Sequence, residues 1–113
     1  ENHIAAAGSI AQAVQQARII APGKPVEVEV ETLKELDHAL ESKADIIMLD
    51  EMDLAAVNRH LEGRELSAQL ELSGGVDIAQ IQAQKALFKN ISRISVGALT
   101  KHCRAVDLSM RFV

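Results

Sequence analysis

The chain has very few aromatic residues: its 113 residues include Phe88 and Phe112 but no tryptophan or tyrosine. Proteins that bind single-stranded nucleic acid stack the bases on aromatic side chains, so the sequence lacks a platform for this class of ligand. The net charge of −4 also argues against a broadly basic surface for nucleic acid or anionic membranes. Any anionic ligand must therefore be bound by local features such as turns and helix ends.

Cysteine is represented by Cys103 alone, which excludes an intramolecular disulfide and a thiolate metal cluster. No apolar run approaches the roughly 20 residues of a membrane-spanning helix, and the first residues carry no signal-peptide pattern. A hydrophobic content of 48% with 25% charged residues is typical of a folded globular chain of about one domain. We therefore predict a cytoplasmic protein with no nucleic-acid or membrane partner.

The hydrophobic pattern switches repeatedly between the period of two found in strands and the 3.6-residue period of helices. Strands are predicted at 26–30, 45–50, 67–73 and 91–97. Helices are predicted over 8–20, from Thr32 to about residue 43, after Asp53, from Asp77 to about Phe88, and briefly near 99–102. Ser9 with Gln12, and Thr32 with Glu35, have the spacing of capping boxes.

This alternation predicts an α/β fold of consecutive β/α units, with a parallel sheet and right-handed crossovers. The predicted strand ends at Glu29, Asp50, Ser73 and Gly97 are 21, 23 and 24 residues apart, a near-regular repeat typical of a barrel. A doubly wound sheet is the alternative. Four strands cannot close a barrel, and the first would present an unpaired edge. We therefore expect the chain to be the C-terminal piece of a larger protein, or to need a partner.

One face of the predicted sheet is polar. In VEVEVE (26–31) the valines alternate with glutamates, so the glutamates share a face opposite the valines. In a barrel the valines would meet the helices and the polar face would point inward, where barrel enzymes keep their chemistry near the C-terminal strand ends. A pocket that binds a cation or a polyhydroxylated ligand is predicted, because buried carboxylates are costly without partners. The inward-facing set is Glu27, Glu29, Glu31, Gln69, Glu71, Ser73, Arg93, Ser95 and Gly97.

Six sequence motifs together resemble quinolinate phosphoribosyltransferase, also called nicotinate-nucleotide pyrophosphorylase (carboxylating). They are ENHIAAAGS (1–9), PVEVEVETLKELDHAL (25–40), ADIIMLD (44–50), LELSGG (70–75), ISVGALT (94–100) and VDLSMRF (106–112). The resemblance implies a type II phosphoribosyltransferase with an incomplete TIM-like α/β barrel. Residues 1–113 would be the C-terminal portion of that barrel, with the N-terminal domain and the first part of the barrel absent. The complete protein would be a homodimer, or a larger homo-oligomer, with active sites at subunit contacts.

The reaction that the resemblance implies joins quinolinate to phosphoribosyl pyrophosphate with Mg²⁺. It yields nicotinate mononucleotide, pyrophosphate and CO₂ in NAD biosynthesis. Matched by motif, Glu29 and Asp50 are the catalytic acidic pair that contacts the ribose hydroxyls and the metal. Two phosphate-binding turns are also implied, the first formed by Ser73, Gly74 and Gly75, the second by Val96, Gly97 and Ala98.

The sequence also departs from the family pattern. His3 matches the histidine that follows a substrate-binding lysine in this family, but that lysine would precede Glu1, as would the basic residues that hold the quinolinate carboxylates. Glu51 and Met52 stand where the family usually has Asn-Phe. For the isolated chain we therefore expect binding without turnover.

Two alternatives follow from these departures. The first is a non-catalytic phosphate-binding fragment or assembly subunit. The second is a paralogue acting on another ring compound, including the molybdenum-transport-associated branch of the family. Glu71 shares a face with Ser73 but is left outside the predicted site, and His38 and His60 are predicted to face solvent.

Overall fold

A single sheet of four parallel strands, in the order β1-β2-β3-β4, organises the computed structural model, which describes residues 2–112. The strands are β1 (Glu27–Val30), β2 (Ile46–Asp50), β3 (Gln69–Ser73) and β4 (Ile91–Ile94). The helices are α1 (Asn2–Ala7), α2 (Ile10–Ile20), α3 (Leu33–Glu41), α4 (Leu54–His60), α5 (Ile78–Ala83) and α6 (Ala98–Lys101), with a 3₁₀ turn at Lys85–Phe88. Each strand is followed by a helical segment, which confirms the predicted succession of β/α units.

The strand order decides between the two predicted architectures. A doubly wound sheet reverses its order at a switch point, where strands that are not consecutive become neighbours. Here every strand pairs only with strands adjacent to it in the chain, and all pairs are parallel. The order therefore contains no switch point and matches a segment of a barrel wall.

An aliphatic core fills the space between one face of the sheet and the helices. Leu36 of α3 and Val57 of α4 pack against strand residues, and both are almost completely buried. Burying a leucine or valine side chain stabilises the fold by about 1.5 to 3 kcal/mol relative to leaving it exposed. The strand residues on this face are Val28, Val30, Ile47, Leu49, Leu70 and Leu72, all buried.

Helix starts agree with the predicted capping residues. Ser9, Thr32, Asp53 and Asp77 each occupy the N-cap of the following helix, and each side chain accepts a hydrogen bond from a backbone N–H of the first turn. At α3 the capping box is complete, since Glu35 Oε2 accepts from the Thr32 N–H at 3.1 Å. Each such cap stabilises a protein by about 1 kcal/mol.

Three features of the elements differ from prediction. Helix α1 was not predicted, although its alanines favour helix and Gly8 with φ +90° ends it. The helix that begins after Asp77 stops at Ala83 and continues only as the 3₁₀ turn, instead of running unbroken to Phe88. The pairing of β3 with β4 contains a bulge. Leu70 pairs with Ile91 but Glu71 pairs with Arg93, so Ser92 is an extra residue in β4.

The molecule is extended, with dimensions of 65 × 35 × 23 Å and a radius of gyration of 18.2 Å. A compact domain of this length has a radius of gyration of about 13 Å. Part of the difference comes from the segment after α6, residues 102–112, which is exposed throughout. Within the described residues, no helix is long and apolar enough to cross a membrane. The large apolar side chains exposed in the C-terminal segment are Val106, Leu108, Met110 and Phe112.

Candidate active site at the strand ends

Strand pairing aligns the polar side chains on the sheet face opposite the aliphatic core. The register places Glu29 beside Met48, Met48 beside Glu71, and Glu71 beside Arg93, so these four residues form one row across the sheet. A second row lies nearer the carboxyl ends of the strands, where Asp50 is beside Ser73. The predicted polar face is confirmed, with Ile46 and Met48 of β2 as apolar members.

Glu29 and Asp50, the predicted acidic pair, lie on the same face of neighbouring strands. Because Glu29 pairs with Met48, Asp50 is one row closer to the strand ends. Strands about 4.8 Å apart with a rise of about 3.3 Å per residue place the two Cα atoms roughly 8 Å apart. Two carboxylates at this spacing can approach one sugar from adjacent positions.

The first predicted turn, formed by Ser73, Gly74 and Gly75, is packed directly against Asp50. Gly74 has φ +80° and Gly75 has φ +58°, which are left-handed conformations that glycine adopts without strain. A β-carbon on Gly74 would stand 2.9 Å from Asp50 Oδ1. The Glu51 N–H donates to the Ser73 carbonyl at 3.2 Å, which ties the loop after β2 to this turn. The structure thus brings Asp50 and the first turn together.

A cavity of about 390 Å³ opens beside this first turn. Its wall includes all three turn residues and the segment from Glu51 to Leu54 that leads into α4. Phe88 and Leu87 close the opposite side with apolar surface. The cavity is large enough for a small polar group and lies at the carboxyl ends of parallel strands, where ligands bind in α/β proteins.

The second predicted turn, formed by Val96, Gly97 and Ala98, leads into α6. Gly97 has φ −62°, an ordinary helical value, and α6 is a single turn closed by the Lys101 N–H donating to the Gly97 carbonyl at 3.0 Å. The Lys101 side chain folds back over this turn, since its Nζ would be 3.8 Å from a β-carbon on Gly97. The sequence analysis missed this ammonium group, which the four-residue spacing from Gly97 along a helix would have revealed.

Glu29 faces a separate and larger groove of about 710 Å³. This groove lies between β1 and the helices α1 and α2, and its wall includes His3 and Glu27 together with Glu29. The histidine of the ENH motif therefore lies near Glu29, while Glu1 is outside the described residues. Of the predicted site residues among 2–112, the first turn (Ser73, Gly74 and Gly75) lines the first cavity and Glu29 lines the second. Asp50, Val96, Gly97 and Ala98 line neither.

Glu71 is the residue of this face that the sequence analysis left outside the site. It is the single buried charged side chain among the described residues, with 8% of its surface exposed. Its Oε1 accepts a hydrogen bond from Ser95 Oγ at 2.5 Å, and its Oε2 is 3.9 Å from Arg93 Nη1. Glu71 and Ser73 alternate in LELS, which indicates that Glu71 shares a sheet face with the first turn. The sequence did not show that Ser95 would be the hydrogen-bond partner of Glu71.

Glu51, at the position where the resemblance implies an asparagine, has a left-handed backbone with φ +51°. Asparagine is several-fold enriched in this conformation among non-glycine residues, whereas glutamate is not. The Glu51 Cγ also crowds Gly74, since it would stand 2.5 Å from a β-carbon there. The departure from the family pattern therefore has a local structural consequence beside the first turn.

The residues present fit a magnesium ion that is shared with a ligand. No group of three or more histidine, cysteine, aspartate or glutamate side chains that could hold a metal occurs among residues 2–112. Magnesium commonly binds through one or two carboxylates, with water and substrate phosphates completing its coordination. Glu29 and Asp50 supply hard oxygen donors of this kind.

A charged cluster remote from the sheet face corrects one prediction. His60, predicted to face solvent, lies with Nε2 2.9 Å from Asp37 Oδ1, and only 23% of its side chain is exposed. Arg64 Nη1 donates to the same oxygen at 2.6 Å. Hydrogen bonds from His60 and then Arg64 lower the pKa of the Asp37 carboxyl. This cluster links α3 to the end of α4 and is structural.

Comparison with known protein families gives a match over nearly the whole chain. The family described as "Quinolinate phosphoribosyl transferase, C-terminal domain" matches residues 1–111. A protein of Rattus norvegicus named nicotinate-nucleotide pyrophosphorylase [carboxylating] is 38% identical over 116 residues, covering 98% of this chain and 38% of its own length. The Mycobacterium leprae protein of the same name is 32% identical over 113 residues, covering 97% of this chain and 39% of its own length.

A solved structure shows the same fold. The nicotinate-nucleotide pyrophosphorylase from Francisella tularensis superposes with a TM-score of 0.82 at 44% sequence identity, over 96% of this chain and 38% of that one. The likeness confirms the predicted fold class, consecutive β/α units of an incomplete TIM-like barrel. The chain spans less than two fifths of the length of these relatives.

Proposed function

The chain belongs to the family of quinolinate phosphoribosyltransferase C-terminal domains, and from this premise we propose that it takes part in phosphoribosyl transfer to quinolinate. The reaction uses phosphoribosyl pyrophosphate and yields nicotinate mononucleotide, pyrophosphate and CO₂, a step of NAD biosynthesis in the cytoplasm. The observation that carries the proposal is the packing of the first turn against Asp50. A β-carbon added to Gly74 would be 2.9 Å from Asp50 Oδ1. An acidic group for the ribose and a glycine turn for a phosphate are thereby adjacent.

Phosphate recognition is assigned to the two turns. In the first turn, Gly74 and Gly75 lack side chains, so backbone N–H groups can approach a phosphoryl oxygen closely. In the second, Val96 and Gly97 precede α6, Ala98 begins it, and Lys101 adds a positive charge over Gly97. Charge-assisted hydrogen bonds to phosphate are stronger than neutral ones. These features support anion binding by a chain whose net charge is −4.

Glu29 and Asp50 are assigned to the ribose. The ring nitrogen of quinolinate displaces pyrophosphate from the anomeric carbon, and positive charge develops on the sugar ring as the bond to pyrophosphate breaks. A carboxylate held nearby stabilises that charge electrostatically, as in glycoside hydrolysis. The two carboxylates can also accept hydrogen bonds from the ribose hydroxyls. Both groups are fixed to strands, which limits the reorganisation they undergo during the reaction.

Magnesium is proposed as the cofactor that accompanies phosphoribosyl pyrophosphate. Glu29 and Asp50 would hold it together with the phosphates of the substrate. When bound, Mg²⁺ neutralises the pyrophosphate leaving group and orients it.

We further propose that these 113 residues act together with the additional segments that the relatives contain. The exposed apolar side chains of residues 106–112 and the extended shape support this, because a stable chain rarely leaves so much apolar surface uncovered. The basic residues that hold the quinolinate carboxylates, and a homodimer with active sites at the subunit contacts, belong to the same proposal. The isolated chain is then expected to bind phosphoribosyl pyrophosphate but not to turn over.

Calorimetric titration of the chain with phosphoribosyl pyrophosphate and Mg²⁺, paired with an assay for nicotinate mononucleotide, tests the first part. Binding without turnover is expected. Turnover by the 113 residues alone would contradict the need for further segments, and absence of binding would contradict the assigned phosphate turns. Inorganic phosphate as competitor distinguishes the phosphate contacts from the sugar contacts.

A chimera tests the second part. This chain would replace the matching 38% of the Francisella tularensis relative, to which it is 44% identical. Turnover of quinolinate by the chimera is the expected result. A chimera that binds phosphoribosyl pyrophosphate but transfers it to no pyridine acid would favour the non-catalytic alternative. Activity with another ring acid and none with quinolinate would favour a paralogue that acts on a different ring compound. Glu51 and Met52 are the reason for keeping this alternative.

A further inference from the structure

Glu71 carries a buried charge that the proposed mechanism does not use. Removing a carboxylate from water is costly unless hydrogen bonds and opposite charge compensate it. Glu71 is 8% exposed and has one hydrogen bond from Ser95 Oγ, while Arg93 Nη1 lies 3.9 Å away. An apolar residue at this position would fill the same space without the free-energy cost of removing a carboxylate from water. The carboxylate therefore suggests a role beyond packing.

Ser95 is held to β3 at two points. Its N–H donates to the Leu72 carbonyl at 2.9 Å, and its Oγ donates to Glu71 at 2.5 Å. Glu71 and Leu72 directly precede Ser73, which begins the first turn, and Ser95 directly precedes Val96, which begins the second. The contact with Glu71 therefore lies at the base of both turns.

A bulge in β4 lies between the start of this strand and Ser95. The register between β3 and β4 shifts just below Ser95, where Leu70 pairs with Ile91 but Glu71 pairs with Arg93. A bulge disrupts the ladder locally and increases the twist of the strand. Backbone pairing resumes after the bulge at Arg93 and Ile94, and the hydrogen bond from Ser95 Oγ to the buried Glu71 carboxylate adds a side-chain link between the two strand ends.

We propose that Glu71 is a positioning residue that holds the second phosphate-binding turn, through Ser95, at a fixed distance from the first. The inference rests on the proposed function, since it assigns both turns to one substrate. Glu71 does not contact the substrate. Its effect is to hold Val96, Gly97 and Ala98 in the binding position even when no ligand is bound.

Amide spectra of the isolated 113-residue chain test the positioning itself, without any assumption about catalysis. The variants Glu71→Ala, Glu71→Gln and Ser95→Ala are compared, because a glutamine oxygen can still accept from Ser95 Oγ. The alanine variants are expected to shift the amide resonances of residues 96–98 and to speed hydrogen exchange at Ser95, whereas Glu71→Gln stays close to the unmodified chain. Changes confined to the immediate neighbours of residue 71 would overturn the proposal.

Kinetics of the chimera test the consequence for the substrate. Glu71→Ala is expected to raise KM for phosphoribosyl pyrophosphate about tenfold with kcat little changed, since one hydrogen bond to a charged group is worth about that factor. Equal weakening of ground-state and transition-state binding has this kinetic signature. Glu71→Gln is expected to recover most of the loss, and the double variant Glu71→Ala/Ser95→Ala to resemble either single variant.

The exposed Glu65, in the loop before β3, supplies the control, and Glu65→Ala is expected to leave both constants unchanged. A fall in kcat at constant KM, or additive effects in the double variant, would contradict the positioning role. If the unsubstituted chimera shows no turnover, the proposed function fails. The amide spectra still decide whether Glu71 positions the turn.

Discussion

Gly74 lies so close to Asp50 that a β-carbon added to the glycine would stand 2.9 Å from the carboxylate oxygen Oδ1. Gly74→Ala is therefore expected to destabilise the chain by about 2 to 4 kcal/mol, combining left-handed backbone strain with overpacking. It should also weaken phosphoribosyl pyrophosphate binding, because the Asp50 carboxylate must move. Urea denaturation and calorimetric titration provide the two measurements.

Gly23 is the matched control for this substitution. Its φ of +76° is close to the +80° of Gly74, but no atom lies within 4 Å of a β-carbon built on it. Gly23→Ala should therefore show the backbone strain alone, about 1 kcal/mol, with unchanged ligand binding. Equal effects of the two substitutions would show that crowding by Asp50 and by Glu51, whose Cγ would be 2.5 Å from the added β-carbon, contributes nothing to the loss of stability.

The acidic pair gives a second prediction. In the chimera, Glu29→Ala or Asp50→Ala is expected to lower kcat for nicotinate mononucleotide by about 10² or more, by analogy with the loss of other electrostatic stabilisers of a transition state. Glu27 is on the same strand and face as Glu29 but is exposed, so Glu27→Ala is the comparison and should change kcat little. A near-normal kcat for either acidic variant would show that the replaced residue has a structural role and not a catalytic one.

Glu51 gives a third prediction, because its φ of +51° is unfavourable for glutamate. Glu51→Asn is expected to stabilise the chain by about 0.5 to 1 kcal/mol, since asparagine tolerates this conformation better. A rise of several degrees in the unfolding midpoint would accompany this gain. Lys43, with φ +56° and remote from the turns, offers the parallel substitution Lys43→Asn. If Glu51 tunes the site, only Glu51→Asn should also change the preference among pyridine acids.

The cluster around Asp37 gives a pH-dependent prediction. Hydrogen bonds from His60 and Arg64 lower the pKa of Asp37 below its usual value of 3.8. A lowered pKa means that the ionised carboxylate stabilises the fold above about pH 4, and that this contribution is lost as the pH falls through the folded-state pKa. Asp37→Asn should therefore cost about 0.5 kcal/mol at pH 7, and this cost should shrink as the pH falls below about 4.

Thermal unfolding of both proteins between pH 2 and pH 7 measures this difference. Asp107→Asn, in the exposed C-terminal segment, is a control of equal charge change and should leave the midpoint unaltered across the range. A difference between Asp37→Asn and the unmodified chain that is as large at pH 2 as at pH 7 would contradict an electrostatic origin. It would point to packing around the side chain instead.

Local signals in the sequence were sufficient to predict most of the fold. Thr32 and Glu35 are three residues apart, and their mutual hydrogen bonds depend on nothing else in the chain. The alternation in VEVEVE likewise fixed which face of β1 is buried, because strand parity is a local property. The regular spacing of the units favoured a barrel over a doubly wound sheet, and the observed strand order decided between them.

Features that depend on distant residues were not predictable. Glu71 and Ser95 are separated by 24 positions, so predicting their hydrogen bond requires the pairing register of β3 with β4. That register includes a bulge that cannot be recognised from the sequence. His60 was misjudged for the same reason, since its partner Asp37 is 23 positions away on another helix. The roles of Glu29 and Asp50 rest on the family resemblance, and the structure adds only their placement on one face.

The outer edge of β1 has a consequence for the behaviour of the chain in concentrated solution. Within residues 2–112 this strand pairs only with β2, so its other side offers backbone groups to which a strand from another molecule could add. Glu27 and Glu29 add negative charge to the sheet face beside this edge, and the same charges on a second copy would oppose its approach. Replacing Glu29 with valine should therefore make strand addition at this edge easier.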